Sequence, residues 1–135
     1  MTDSYSLRLK FWGTRGSIPC PGSETVRYGG NTTCFEINFE DQRLIIDAGT
    51  GIRLLGKKIL LEEGNLLNAK LFFTHTHMDH IQGLPFFAPL YNPASNVNLF
   101  AGHLDGDNYD LHGIIGTMLM NCLLYTSDAA DDIPG

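Results

Sequence analysis

Residues 74–80 read Thr-His-Thr-His-Met-Asp-His, so the side chains of His75, His77, Asp79 and His80 fall within six positions. The apolar stretch Leu71-Phe72-Phe73 leads straight into them. That order describes a buried strand delivering a cluster of metal ligands to its carboxyl end. Neutral imidazole and carboxylate are the donors that zinc, manganese and iron accept. Without a metal, each ring needs a hydrogen-bond partner of its own, and protonated rings repel one another.

In an extended segment, residues i and i+2 project to the same side, so His75 and His77 can grip one ion. Asp79 keeps that parity but lies where the chain must turn into its next element, and His80 follows directly. Two donor pairs displaced along a loop suit two neighbouring ions better than one closed tetrahedral site. A dinuclear site holds a bridging water or hydroxide and lowers its pKa, which supplies a nucleophile at neutral pH.

The elements that position this run follow from periodicity. Leu7, Leu9 and Phe11 alternate with Arg8 and Lys10, and Phe35, Ile37 and Phe39 with Glu36 and Asn38, which reads as two half-buried strands. Residues 14–30, rich in Gly, Pro and Ser, form a long loop. A hairpin over residues 39–43 leads into the apolar strand Leu44–Ile46. Ile52, Leu55, Ile59 and Leu60 recur at helical spacing over residues 51–63, and Gly64 stops that helix. Residues 69–74 form the strand that feeds the histidine run. A short helix is expected over residues 81–90, with Pro85 in its first turn, then a strand over residues 96–101. An early hairpin followed by strand–helix alternation implies an α/β domain, one sheet with helices on one face. Residues 111–124 are apolar without a clean period.

Single residues carry paired readings. Asp47 ends an apolar strand, where it either hydrogen-bonds a metal-binding His or caps the turn Gly49-Thr50-Gly51. Arg15, in a Gly-flanked turn, is more simply a solvated loop residue than a phosphate anchor. Gly29, Gly30 and Asn31 serve a tight turn. Phe86, Phe87 and Tyr91 are expected in the core, and Met78 packed under the loop. Cys34 reads as a small core residue, and Cys20 as a loop thiol with no catalytic partner. His103 and His112 read as surface histidines.

The histidine run resembles the His-x-His-x-Asp-His signature of the metallo-β-lactamase superfamily of metal-dependent hydrolases. Leu44-Ile45-Ile46-Asp47-Ala48-Gly49-Thr50-Gly51 looks like the strand that ends in an Asp beside the metal loop. Phe11-Trp12-Gly13-Thr14-Arg15-Gly16-Ser17 and Gly29-Gly30-Asn31-Thr32-Thr33-Cys34 look like the opening strands of its phosphodiesterase-like branch, which includes ribonuclease Z. The resemblance covers roughly residues 7–101. It implies the amino-terminal half of an αββα sandwich, in which two half-sandwiches pack face to face. It also implies two Zn2+ per site, with Mn2+ or Fe2+ as alternatives. His75 and His77 would hold the first ion, and Asp79 and His80 the second. Asp79 is also assigned the catalytic role, and Asp47 would hydrogen-bond a ligand from behind. A metal-bound hydroxide would attack a phosphodiester in a small phosphate-ester or nucleotide-like substrate. The family's further ligands, a His, a bridging Asp and a final His, would lie after residue 121, where this sequence has no matching positions. The alternatives are a truncated, inactive fragment, or a thioester hydrolase or persulfide dioxygenase of the same superfamily.

Composition bounds these readings. The 135 residues are 43% hydrophobic and 18% charged, ordinary for a globular domain. A net charge of −6 argues against bulk electrostatic binding to nucleic acid or anionic membranes. No apolar run approaches the roughly 20 residues that span a bilayer, and Met1–Ser6 carries no signal pattern. Cys20, Cys34 and Cys122 form no CxxC and cannot all pair, which suits reduced thiols and a cytoplasmic setting. Residues 1–121 are expected to form the partial domain. Residues 122–135 resemble the translated end of a transposon-based sequencing adapter and are set aside as a non-native tail.

Overall fold

The computed structural model describes residues 5–104 and 110–131, with side chains as far as residue 122. Sequence readings that fall on residues 1–4, 105–109 and 132–135 lie outside the described residues. Five strands form one sheet: β1 (Leu7–Gly13), β2 (Cys34–Phe39), β3 (Gln42–Ile46), β4 (Asn68–Phe73) and β5 (Asn96–Ala101), in that spatial order. β1, β2 and β3 run antiparallel, while β3, β4 and β5 run parallel, so the sheet is mixed. The helices are α1 (Ile52–Glu63), α2 (Met78–Ile81) and α3 (Leu111–Asp131).

The two halves of the sheet follow from their connections. β2 and β3 join by a tight hairpin with Phe39 opposite Gln42, and Glu40 at its tip takes the left-handed φ of 51°. Parallel strands need a crossover, and α1 supplies it between β3 and β4. Its buried stripe is Ile52, Leu55 and Ile59, spaced as one helix face. Gly64, at φ 66°, closes its last turn by donating its N–H to Ile59 O. That stripe meets Ile45 of β3 and Ala69, Leu71 and Phe73 of β4 in one core, completed by Leu84, Phe87 and Ile115 of α3.

The opposite face of the sheet is open. Phe11, Phe35, Ile46, Phe72 and Phe100 stand in register on all five strands and form an apolar row across it. Phe11 meets Phe35 edge-on at 5.0 Å, and Phe72 stacks on Phe100 at 4.8 Å. Leu7, Leu9 and Phe11 are 70%, 51% and 57% exposed. This corrects the reading of β1 and β2 as half-buried through their apolar sides. The helices pack over β3 and β4, whose continuous apolar runs present a second apolar face. On the helix side β2 instead offers Cys34 and Glu36, both buried. Glu36 accepts from Trp12 Nε1 at 2.9 Å and lies 3.1 Å from Arg43 Nε, an ionic contact too poorly angled for a hydrogen bond.

The helix expected over residues 81–90 is not formed. α2 starts earlier, inside the histidine run, and two 3-10 turns follow at Leu84–Phe86 and Ala88–Tyr91. Each carries a proline in its first turn, Pro85 or Pro89, whose missing N–H fits there and interrupts a longer helix. Phe87 is core, as expected, but Phe86 (60% exposed) and Tyr91 are not, and Met78 points outward instead of packing under the loop. Among the described residues no helix is long and apolar enough to cross a membrane.

Candidate metal centre

The histidine run leaves the carboxyl end of β4 beside the carboxyl end of β3, the edge of a parallel sheet where ligands collect. β3 ends in Ile46, and Asp47 takes φ 62°, a left-handed conformation uncommon outside glycine. Its N–H still pairs with Phe72 O at 2.8 Å, which ties the turn to β4. The Asp47 carboxylate, 2% exposed, accepts three hydrogen bonds of 2.8 Å, from Thr74 N, Thr74 Oγ1 and His80 Nδ1. These bonds over-determine a backbone geometry that would otherwise be strained.

A second lock brings residues 80–83 against residues 48–49. Ala48 N donates to His80 O at 2.7 Å and Gly83 N to Ala48 O at 2.9 Å. The backbones approach so closely that a Cβ on Gly83 would stand 2.1 Å from Gly49 O. Glycine at both positions is therefore a steric requirement.

The structure brings the run donors together pairwise. The His75 ring centroid lies 4.5 Å from that of His77 and 4.0 Å from that of His80. His80 Nε2 lies 3.3 Å from Asp79 Oδ2. With bonds of about 2.0–2.1 Å, two donors on one tetrahedral ion stand about 3.3 Å apart, so this pair has the spacing of a coordination edge. Among the described residues no three His, Cys, Asp or Glu groups close into a complete cage. The donor chemistry fits a divalent cation pair by pair, but the set does not enclose one.

Two of these groups have displaced pKa values. Partial burial, with His80 and then His77 nearby, pushes the His75 pKa below the ordinary imidazole value. The lone pair is then free at neutral pH. The Asp79 carboxyl is held below its usual range, chiefly by the Ser17 N–H, which donates to Oδ2 at 2.9 Å. Asp47 accepting from His80 assigns the proton to Nδ1 and leaves the Nε2 lone pair facing Asp79. Asp47 thus hydrogen-bonds a histidine of the run.

Three neighbours had no clear signal in the sequence. Ser17, itself at φ 72°, reaches the cluster from the loop after β1. Thr74 bridges Asp47 to the rings, 3.1 Å from His75 Nδ1 and 3.4 Å from His80 Nδ1. His103, read as a lone surface residue, is exposed but stands 3.4 Å from Thr76 Oγ1 at the edge of the run. His112 instead lines an apolar hollow of about 540 Å³ with Leu99 and Ile115.

Known proteins support the sequence resemblance. The chain is 35% identical over 80 residues to a ribonuclease Z from Natronomonas pharaonis, a match covering 59% of this chain and 23% of that protein. Over this segment the chain resembles a metallo-β-lactamase-superfamily protein. No family model matches it. Two solved structures align with most of the chain. One is a metallo-beta-lactamase-type protein of Thermotoga maritima: 24% identity, 87% of this chain, 54% of that one, TM-score 0.47. The other is a diphosphatase of the PhnP family: 19% identity, 89% of this chain, 47% of that one, TM-score 0.46. The chain therefore spans less than a quarter of the length of the ribonuclease Z it matches and about half that of the solved structures.

Proposed function

We propose that His75, His77, Asp79 and His80 hold divalent metal and that the protein this segment serves is a hydrolase acting on a phosphodiester. One observation carries the reading: Asp47 orients His80 through Nδ1 while Nε2 sits at coordination-edge distance from Asp79. A carboxylate behind a histidine is the usual support for a metal-binding imidazole. Imidazole with carboxylate favours zinc, with manganese and iron as alternatives.

A divalent cation there would acidify a water molecule and neutralise charge building on a phosphoryl oxygen. The chain's own residues prepare the place. The Ser17 N–H keeps Asp79 ionised and aimed at His80. Depression of the His75 pKa keeps that ring neutral. Thr74 and Asp47 hold the His75 and His80 rings from behind.

The ribonuclease Z match supports a phosphodiester as the substrate. The experiment is turnover of a chromogenic phosphodiester by the 135-residue chain, with and without zinc. Zinc-dependent turnover that disappears in His75→Ala supports an active chain. One feature favours a second reading for the chain taken alone: the open apolar face, together with donors that meet only in pairs. On that reading the chain binds metal weakly and associates without turning over. Metal content separates the chemistries, since one iron per active chain would contradict the zinc phosphodiesterase reading.

A further inference from the structure

Thr74 Oγ1 sits at the meeting point of three groups. It lies 2.8 Å from Asp47 Oδ2, 3.1 Å from His75 Nδ1 and 3.4 Å from His80 Nδ1. A hydroxyl has one proton to donate and two lone pairs that accept. A carboxylate can only accept, so the Thr74 proton goes to Asp47 Oδ2. The opposite orientation would leave two acceptor oxygens 2.8 Å apart with no proton between them. Toward His75 the hydroxyl oxygen is therefore an acceptor. The 3.1 Å separation lies inside the N–H···O range, so Nδ1 of His75 supplies the proton. A neutral imidazole carries one N–H, which leaves a lone pair on Nε2. His80 reaches the same state by another route: its Nδ1–H goes to Asp47 at 2.8 Å, nearer than Thr74.

The hydroxyl is not free to turn elsewhere. Thr74 N donates to Asp47 Oδ1 at 2.8 Å while Thr74 Oγ1 donates to Oδ2, so one residue grips both oxygens of the carboxylate. Asp47 is 2% exposed, where an unmet acceptor is costly. His77 has no such anchor. Among the described residues it makes no hydrogen bond, only a ring contact with His75, centroids 4.5 Å apart.

From this proton count we infer that Thr74 is a positioning residue, a relay through which Asp47 sets the tautomers of two rings, His80 directly and His75 through the Thr74 hydroxyl. The purpose of the relay rests on the proposed metal centre: two Nε2 lone pairs stand ready before any cation arrives, and His77 alone has to adjust. The proton order itself is a property of the chain without metal.

The test is nitrogen-resolved NMR of the full chain with EDTA present, at about pH 8, above the ordinary imidazole range. Each neutral ring then shows which nitrogen bears its proton. His75 and His80 are expected in the Nδ1–H form and His77 as a mixture. Thr74→Val keeps the side-chain shape and the Thr74 N bond but removes the hydroxyl, so His75 should become a mixture while His80 stays Nδ1–H. Thr74→Ser should restore the wild-type pattern. Asp47→Asn gives the sharpest outcome. Its amide nitrogen donates to Thr74 Oγ1, which turns the hydroxyl proton toward His75 Nδ1. His75 should then convert to the Nε2–H form, although Asp47 makes no hydrogen bond to it. With Thr74→Val and Asp47→Asn combined, that conversion should vanish. Zinc affinity, measured by calorimetry without EDTA, should fall about tenfold in Thr74→Val and return in Thr74→Ser. His75 found as Nε2–H in the wild type, or unmoved in a folded Thr74→Val, would overturn the relay. Zinc affinity unchanged in Thr74→Val would overturn its positioning role. Failure of the metal reading looks different: His75 and His80 both Nδ1–H, with no ring moved by zinc in the wild type.

Discussion

Replacing Asp47 by Asn tests the proposed metal centre without touching a proposed ligand. The substitution is nearly isosteric, and Asn tolerates the left-handed φ of 62° that Asp47 adopts, so the turn should hold. The amide oxygen can keep the bond from Thr74 N now made at Oδ1. The amide nitrogen then faces Thr74 Oγ1 and His80 Nδ1, both 2.8 Å from the oxygen it replaces. Two donors now meet a donor. The ring escapes by moving its proton to Nε2, the atom 3.3 Å from Asp79, and that atom can no longer bind a cation. Losing such a supporting carboxylate typically costs about 10–100-fold in metal affinity, about 1.4–2.8 kcal/mol. Zinc titration by calorimetry on wild type and Asp47→Asn, with circular dichroism to show that both fold, measures it. Equal affinities in two folded proteins would refute the reasoning.

Other consequences concern the frame. Arg43→Ala should destabilise the fold by about 3–5 kcal/mol, because Glu36, 1% exposed, would keep a buried charge without its cation; urea unfolding reads this. Arg43 also holds Glu63 at 2.7 Å and depresses its pKa. That pair's contribution, about 0.5 kcal/mol at a one-third exposed site, is complete above the ordinary glutamate value of 4.5 and vanishes as pH falls through the lower native value. An acid-unfolding limb unchanged by Arg43→Ala would contradict it. Gly83→Ala should lower the melting temperature by several degrees and weaken metal uptake together, since a methyl group at 2.1 Å from Gly49 O separates the two interlocked segments. The open apolar row should drive concentration-dependent association, visible by sedimentation and reduced in Phe72→Asp; a monomer at high concentration would show that this face needs no cover.

Much of the site was legible because its chemistry is local. Residues 75–80 carry their donors within six positions, and an apolar strand on either side of α1 places them. The Asp47 alternatives could not be separated from sequence, because the deciding bond to His80 joins residues 33 apart. Ser17 and His103 were invisible for the same reason: contact through a backbone N–H or a single long-range neighbour leaves no pattern. The sheet faces were misassigned because β1 and β2 are apolar on one side and paired polar on the other. Alternation alone does not say which side α1 will cover, and buried Glu36 with Trp12 and Arg43 inverted the expected choice. Pro85 pointed to a helix start, but the second proline at Pro89 divides the segment into separate turns.

The most direct test of the central claim is nitrogen-resolved NMR of the five imidazole rings during zinc titration. It reads ligation ring by ring and does not require tight binding or turnover. The account predicts that His75, His77 and His80 shift together, with His80 bound through Nε2, while His112 stays still. Five rings that do not move, or that all move alike in proportion to exposure, would show that residues 74–80 are a polar bend and not a metal centre.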